Sequence, residues 1–165
     1  MMQSSPLNYR RVFLWIGRIV LAGIFIYAGY AKIRMPTMPQ RPPLSVALSF
    51  FAMQVDSYQL LPPWGVKFVA HTLPFAEIAL GLLLLIGWEL RVWTTLVTLM
   101  VAGFFFGVVR AYFKHMEINC GCFGTPQPVT IVKVLEDGGL LALMLAMTTF
   151  AFIEARKPHA WTQKT

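Results

Sequence analysis

Charge is scarce in this chain. Only 13% of its 165 residues are Asp, Glu, Lys or Arg, against 57% hydrophobic, and the mean hydropathy of +0.62 lies far outside the range of a soluble domain of this length. Acidic residues are fewest, seven against fourteen basic, which leaves a formal charge of +7. The basic residues are scattered among apolar runs instead of forming a patch or interleaving with aromatics, so nucleic acid is excluded as a partner. No internal repeat or low-complexity tract is present. No run alternates with period two, which excludes a membrane barrel and leaves helices as the only way to satisfy the backbone in lipid. Cysteine is nearly absent as well: Cys120 and Cys122 are the whole complement.

What is present is a set of long hydrophobic runs. Each helix needs roughly 20 apolar residues to cross about 30 Å of hydrocarbon, and four runs meet that length, about 12–33, 66–88, 92–113 and 129–153. The expected fold is therefore all-α: an integral membrane four-helix bundle forming one domain over residues 1–165. The first run follows Arg10 and Arg11 but is too long for the apolar region of a signal peptide, so it reads as a retained helix. Between the first two spans, prolines at 36, 39, 42, 43, 62 and 63 break the chain into a turn-rich arm. Leu44 to Val55 is too short to span and reads as an interfacial helix, after which Asp56, Ser57, Tyr58 and Gln59 return the chain to a polar setting.

Counts of Lys and Arg at the two faces nearly balance. Arg10, Arg11, Arg156 and Lys157, however, flank the chain ends directly, which favours both termini in the cytoplasm and the Cys120 loop in the periplasm, where disulfides persist.

Several charged residues fall inside the runs. In the first helix Arg11, Arg18, Phe25, Gly29 and Lys32 share a stripe about 60° wide at 100° per residue, and that stripe should face the interior. Arg18 either pairs there with Glu77 or snorkels to the headgroups. In the second span His71, Pro74 and Glu77 form a skewed polar edge at a proline that opens the backbone ladder, a candidate interior polar site. Gly103 and Gly107, with Arg110 and Lys114 on the same face, suggest close helix packing beneath the cysteine loop. Thr125-Pro126-Gln127-Pro128 suits a cap and first turn, and Lys133, Glu136 and Asp137 follow within three turns, expected either to turn inward or to sit on a solvated helix end above the bilayer.

Cys120-Gly121-Cys122-Phe123-Gly124 carries the chemistry. A thiolate is the reactive form, and Arg110, Lys114, Lys133 and a helix start just after Cys122 would each favour it. Three readings compete. The pair cycles between dithiol and disulfide; or it binds a soft metal such as Cu(I) with His115, Met116, Met35 and Met38; or it fixes a tight turn, although so short a loop removes little unfolded-state entropy.

Gly17-Arg18, Phe25 through Lys32, Tyr58-Gln59-Leu60-Leu61-Pro62, Pro74-Phe75-Ala76-Glu77, Gly81 through Gly87, the cysteine block and Glu136-Asp137-Gly138 together resemble the DoxX-like superfamily, and within it the MauE-type proteins of methylamine utilisation. The resemblance covers nearly the whole chain, and only the cysteine block is specific. It implies a four-helix bundle associated with making or maintaining disulfides in exported, cysteine-containing partners, often beside a thioredoxin-like protein. The broader fold looks like the core of vitamin K epoxide reductase and DsbB, which use two cysteine pairs. This chain has one, so it cannot run an internal relay. Electrons must leave directly to a quinone, whose pocket Arg18, His71, Glu77 and Asp137 would shape, or through another subunit. The expected function is thus an inner-membrane thiol-disulfide oxidoreductase with Cys120 and Cys122 as the reacting pair and no metal. The alternative is a non-catalytic accessory subunit or assembly factor of a larger respiratory or dehydrogenase complex in the membrane.

Overall fold

A computed structural model describes residues 6–35, 42–87, 89–116, 118, 120 and 128–155. Five helices make up the described chain: α1 (Pro6–Arg34), α2 (Leu44–Ser57), α3 (Pro63–Ile86), α4 (Leu90–Phe113) and α5 (Ile131–Ala155). Their ends follow local chemistry. Prolines open α1 and α3, where the missing N–H costs nothing, and α3 stops at Gly87, whose φ of 77° lies in the left-handed region. α5 starts two residues later than the sequence suggests. Its first turn receives the hydroxyl of Thr130, which accepts from Lys133 N at 3.4 Å; the expected cap residues 125–127 lie outside the described residues.

α1, α3 and α4 are long and apolar enough to cross a membrane, and α2 is apolar but short, as expected. α5 is 25 residues long and opens with Lys133, Glu136 and Asp137. The helices run up, down, up, down. α1 packs most extensively along α3, and α4 along α5, while α2 lies across both α3 and α1. The α3–α4 and α1–α5 contacts that close the ring are sparser.

Glycines set the closest approaches. A Cβ on Gly29 would fall 2.5 Å from Pro74 O, and one on Gly81 would fall 3.0 Å from Ala22 O, so α1 and α3 meet backbone to backbone. Leu14, Leu21, Ala22, Phe25, Leu84, Val97, Val101, Met144 and Met147 fill the centre of the bundle. Large side chains such as Trp15, Phe68, Leu99 and Phe106 point outward, which is costless where the surrounding solvent is lipid. Buried threonines spend their hydroxyls on helix carbonyls: Thr94 Oγ1 donates to Leu90 O at 2.7 Å and Thr98 Oγ1 to Thr94 O at 2.7 Å.

Candidate functional site

The up-down order brings the C-terminal ends of α1 and α4, the N-terminal ends of α3 and α5, and all of α2 to one end of the bundle. Cys120 sits there. The segment after α4 is pinned by Val129 N donating to Ile118 O at 3.2 Å, and Cys120, two residues on, is 5% exposed. Cys120 stands in the disulfide-bonded state. Cys122, the other cysteine of the sequence, lies outside the described residues, as do Gly121, Phe123 and Gly124.

Tyr58, the C-cap of α2, ties this end together. Its hydroxyl donates to Cys120 O at 3.3 Å, and its own carbonyl accepts from Arg110 Nη1 at 2.8 Å. Burial, and secondarily the negative charge of Asp137, pushes the Tyr58 phenol up to about 12, so it remains a hydrogen-bond donor throughout the neutral range. Arg110 therefore reaches the cysteine through Tyr58. Lys114 is exposed at the end of α4. Lys133 is 5% exposed and held by Asp137 at 2.8 Å and Glu136 at 3.6 Å, so its charge is balanced within α5.

Cys120 also forms part of the wall of a cavity of about 270 Å³ between α2, α3 and α4. Its lining is almost wholly apolar, with Phe51, Leu73, Met100 and Phe104 among the walls and Gln54 and Tyr58 as the polar groups. Gly103 and Gly107 border it, and they do not serve as the helix-contact pair their spacing suggests. Gly107 lies against Tyr58 and Leu60, while a Cβ on Gly103 would meet nothing within 4 Å. Gly103 is exposed, on the membrane-crossing part of α4, so the cavity opens sideways there.

Deeper in the bundle, Lys32 Nζ donates to both oxygens of Glu77 at 2.8 Å. Glu77 thus pairs with Lys32 and not with Arg18. Arg18 instead donates to Leu84 O at 3.0 Å and Leu85 O at 2.8 Å, closing the last turn of α3. His71 is exposed, with Nδ1 2.8 Å from Lys67 O. Of the four residues expected at the interior polar site, Glu77 and Asp137 come together, at a cavity of about 60 Å³ that Lys32 also lines; Arg18 and His71 are not among its lining residues. Met100 and Phe104 line both cavities.

Sequence reasoning did not single out Tyr58 as a site residue or Lys32 as the partner of Glu77. A signal for the latter existed, because a helical side chain leans toward its own N-terminus, which carries Lys32 down toward the level of Glu77. Among the described residues no three His, Cys, Asp or Glu side chains gather to hold a metal ion.

No curated protein and no solved structure matches the chain. The family model described as methylamine utilisation protein MauE matches residues 10–150. With that match over most of its length, and with three apolar helices of membrane-crossing length, the chain belongs to the MauE family of membrane proteins.

Proposed function

We propose that this protein exchanges disulfides with an exported partner through Cys120 and Cys122, and that its cysteine end faces the periplasm from the inner membrane. The observation that carries the reading is the position of Cys120: disulfide-bonded, tied to Tyr58 and bordering an apolar cavity that opens toward the lipid. A structural crosslink gains nothing from such a cavity.

In the exchange, a thiolate of a thioredoxin-like or other cysteine-containing partner attacks one sulfur of the pair and forms a mixed disulfide. The second partner thiol then displaces the bound sulfur. Two partner thiols have become a disulfide, and Cys120 and Cys122 have become a dithiol; electrons and protons balance without a further reagent. Arg110, through the Tyr58 carbonyl, and the Tyr58 hydroxyl hold the Cys120 backbone in place during this cycle.

The cavity fits a lipid-soluble quinone. Its walls are apolar, Gly103 and Gly107 leave space for a flat ring, and Gln54 offers a donor for a ring oxygen. A bound quinone would supply the acceptor for two electrons and two protons that returns the pair to the disulfide. Gln54, Gly103 and Gly107 would hold it, in a different place from the pocket expected at Arg18, His71, Glu77 and Asp137, none of which lines this cavity.

The test is mass-tag trapping of free thiols in native membranes before and after reductant or quinone. Interconversion of the pair, with reoxidation by quinone, is the expected result; Cys120→Ser and Cys122→Ser should each abolish partner oxidation while the bundle remains folded. Full activity in either variant sinks the redox reading and leaves the helices acting as a docking subunit.

A further inference from the structure

A partner protein that exchanges disulfides here needs somewhere to sit, and Cys120 by itself offers no such place. It is 5% exposed and borders a cavity that opens toward the lipid, whereas an exported partner arrives from water. A second concavity stands just past the membrane-crossing length of α4, which ends at Phe113. The chain leaves the helix through His115, whose φ of 50° lies in the left-handed region. Backbone bonds fix this exit: Lys114 N donates to Arg110 O at 3.0 Å, His115 N to Tyr112 O at 3.1 Å and Met116 N to Ala111 O at 3.0 Å. It leads to Ile118, whose carbonyl accepts from Val129 N at 3.2 Å and so ties the exit from α4 to the entry into α5.

Between these anchored limbs lies a groove of about 580 Å³, with Tyr112, His115, Met116, Ile118, Pro128 and Val129 among its lining residues. It is larger than the cavity of about 270 Å³ at Cys120 and shares no lining residue with it, so a ligand in one does not displace a ligand in the other. Ile118 and Val129 supply apolar surface, Met116 a flexible thioether that adapts to different side chains, and Tyr112 and His115 polar tips. Because its walls are held by backbone bonds, binding there requires little ordering of the loop. The charge around it has one sign. Among the described residues of 110–118 and 128–132 the charged side chains are Arg110 and the exposed Lys114, both cationic; Glu117 lies outside the described residues.

We propose that this groove docks the exported partner through an extended, acidic segment of its chain, with apolar side chains seated against Met116, Ile118 and Val129 and a carboxylate at Lys114. The inference rests on the thiol-disulfide reading above and says where the substrate of that reaction binds. An extended segment suits the site because its alternate side chains enter a groove while its backbone stays in water. The charge complementarity selects an acidic segment over a basic one and speeds its encounter with the cysteine end.

The experiment is photo-crosslinking and fluorescence binding of short synthetic peptides to the full chain in phosphatidylcholine vesicles. The probes alternate apolar and polar residues, carry a benzoylphenylalanine and either aspartates or lysines, and have serine where the partner would have cysteine, so no thiol chemistry contributes. The acidic peptide should crosslink to the groove residues and bind more tightly than the basic one. Lys114→Glu, a change at an exposed site, should shift the ratio of the two affinities toward the basic peptide by roughly threefold or more. Ile118→Trp fills the groove and should weaken both peptides; the Lys114→Glu comparison decides the matter even where Ile118→Trp fails to fold. Crosslinks that fall elsewhere, equal affinities in the wild type, or an unchanged ratio in Lys114→Glu overturn the proposal. So does labelling of the groove by a photoactivatable phosphatidylglycerol where the acidic peptide leaves it unlabelled, which would assign it to a lipid headgroup. Thiol trapping of the wild type with dithiothreitol keeps the two readings apart: a pair that cycles beside a groove that binds no peptide loses only the docking site, and a pair that never cycles overturns both.

Discussion

At the scale of single residues, Tyr58 and Glu77 show opposite solutions to burying a polar group. Tyr58 stays neutral: its phenol is raised above the ordinary value of 10.0 to about 12 by burial first and by the Asp137 charge second. Below pH 10 both folded and unfolded chains keep the proton, so the stabilisation is fully present. Between about 10 and about 12 the unfolded chain ionises while the folded one holds its proton, and stability falls with rising pH. Thermal unfolding in detergent should therefore decline over that alkaline window, and Tyr58→Phe should remove this component. Glu77 is instead matched by an oppositely charged partner, Lys32 Nζ lying 2.8 Å from its carboxylate. Glu77→Ala or Lys32→Ala alone strands an ion and should cost about 3–5 kcal/mol, whereas Lys32→Met with Glu77→Leu should cost far less. Denaturation of the two singles and the double decides this; equal losses in all three would contradict it.

At the scale of helices, the hydropathy of the chain carries most of the architecture. The spans near Val12, Val66 and Val92 are found within a few residues of their expected ends, and Leu44–Ser57 is the short apolar helix that its length implies. Side-by-side register is what single-helix reasoning lacks. Arg18 and Lys32 share one stripe of α1, and the stripe by itself does not say which of them meets Glu77; the lean of a helical side chain toward its N-terminus favours Lys32 without fixing the register. The answer depends on Gly29 and Gly81, whose missing side chains let α1 and α3 approach and so set their offset. The Gly103–Gly107 spacing looks like the same device and is not, because the facing helix stands back and leaves the cavity. These two uses of glycine make a paired prediction. Gly103→Leu projects into open space and should leave the melting temperature nearly unchanged while abolishing reoxidation of the cysteines by quinone. Gly29→Leu drives a side chain into the Pro74 carbonyl and the Ile78 side chain and should destabilise the bundle by several kcal/mol. Thermal melts and thiol trapping on both variants check it. The disulfide end was less legible for a different reason: Tyr58 is an ordinary tyrosine in a polar turn until the fold lays it beside Cys120, 62 residues away in sequence.

At the scale of the whole molecule, the bundle is two helix pairs set side by side. α1 grips α3 and α4 grips α5, yet the two helices joined by the shortest connection, α3 and α4, touch only sparsely. The cavity at Cys120 lies across that seam, with α3 supplying Val69 and Leu73 and α4 supplying Met100, Gly103, Phe104 and Gly107. Chain continuity at Gly87–Glu89 thus contributes little to holding the halves together. The protein should be divisible: two polypeptides, one ending after Gly87 and one beginning at Trp88, each contain a complete helix pair. Co-expressed in one membrane, they should copurify through the Leu14–Leu21–Val97–Met144 core and retain the proposed thiol-disulfide cycling; halves that fail to associate would show that the connection, and not the packing, holds the seam.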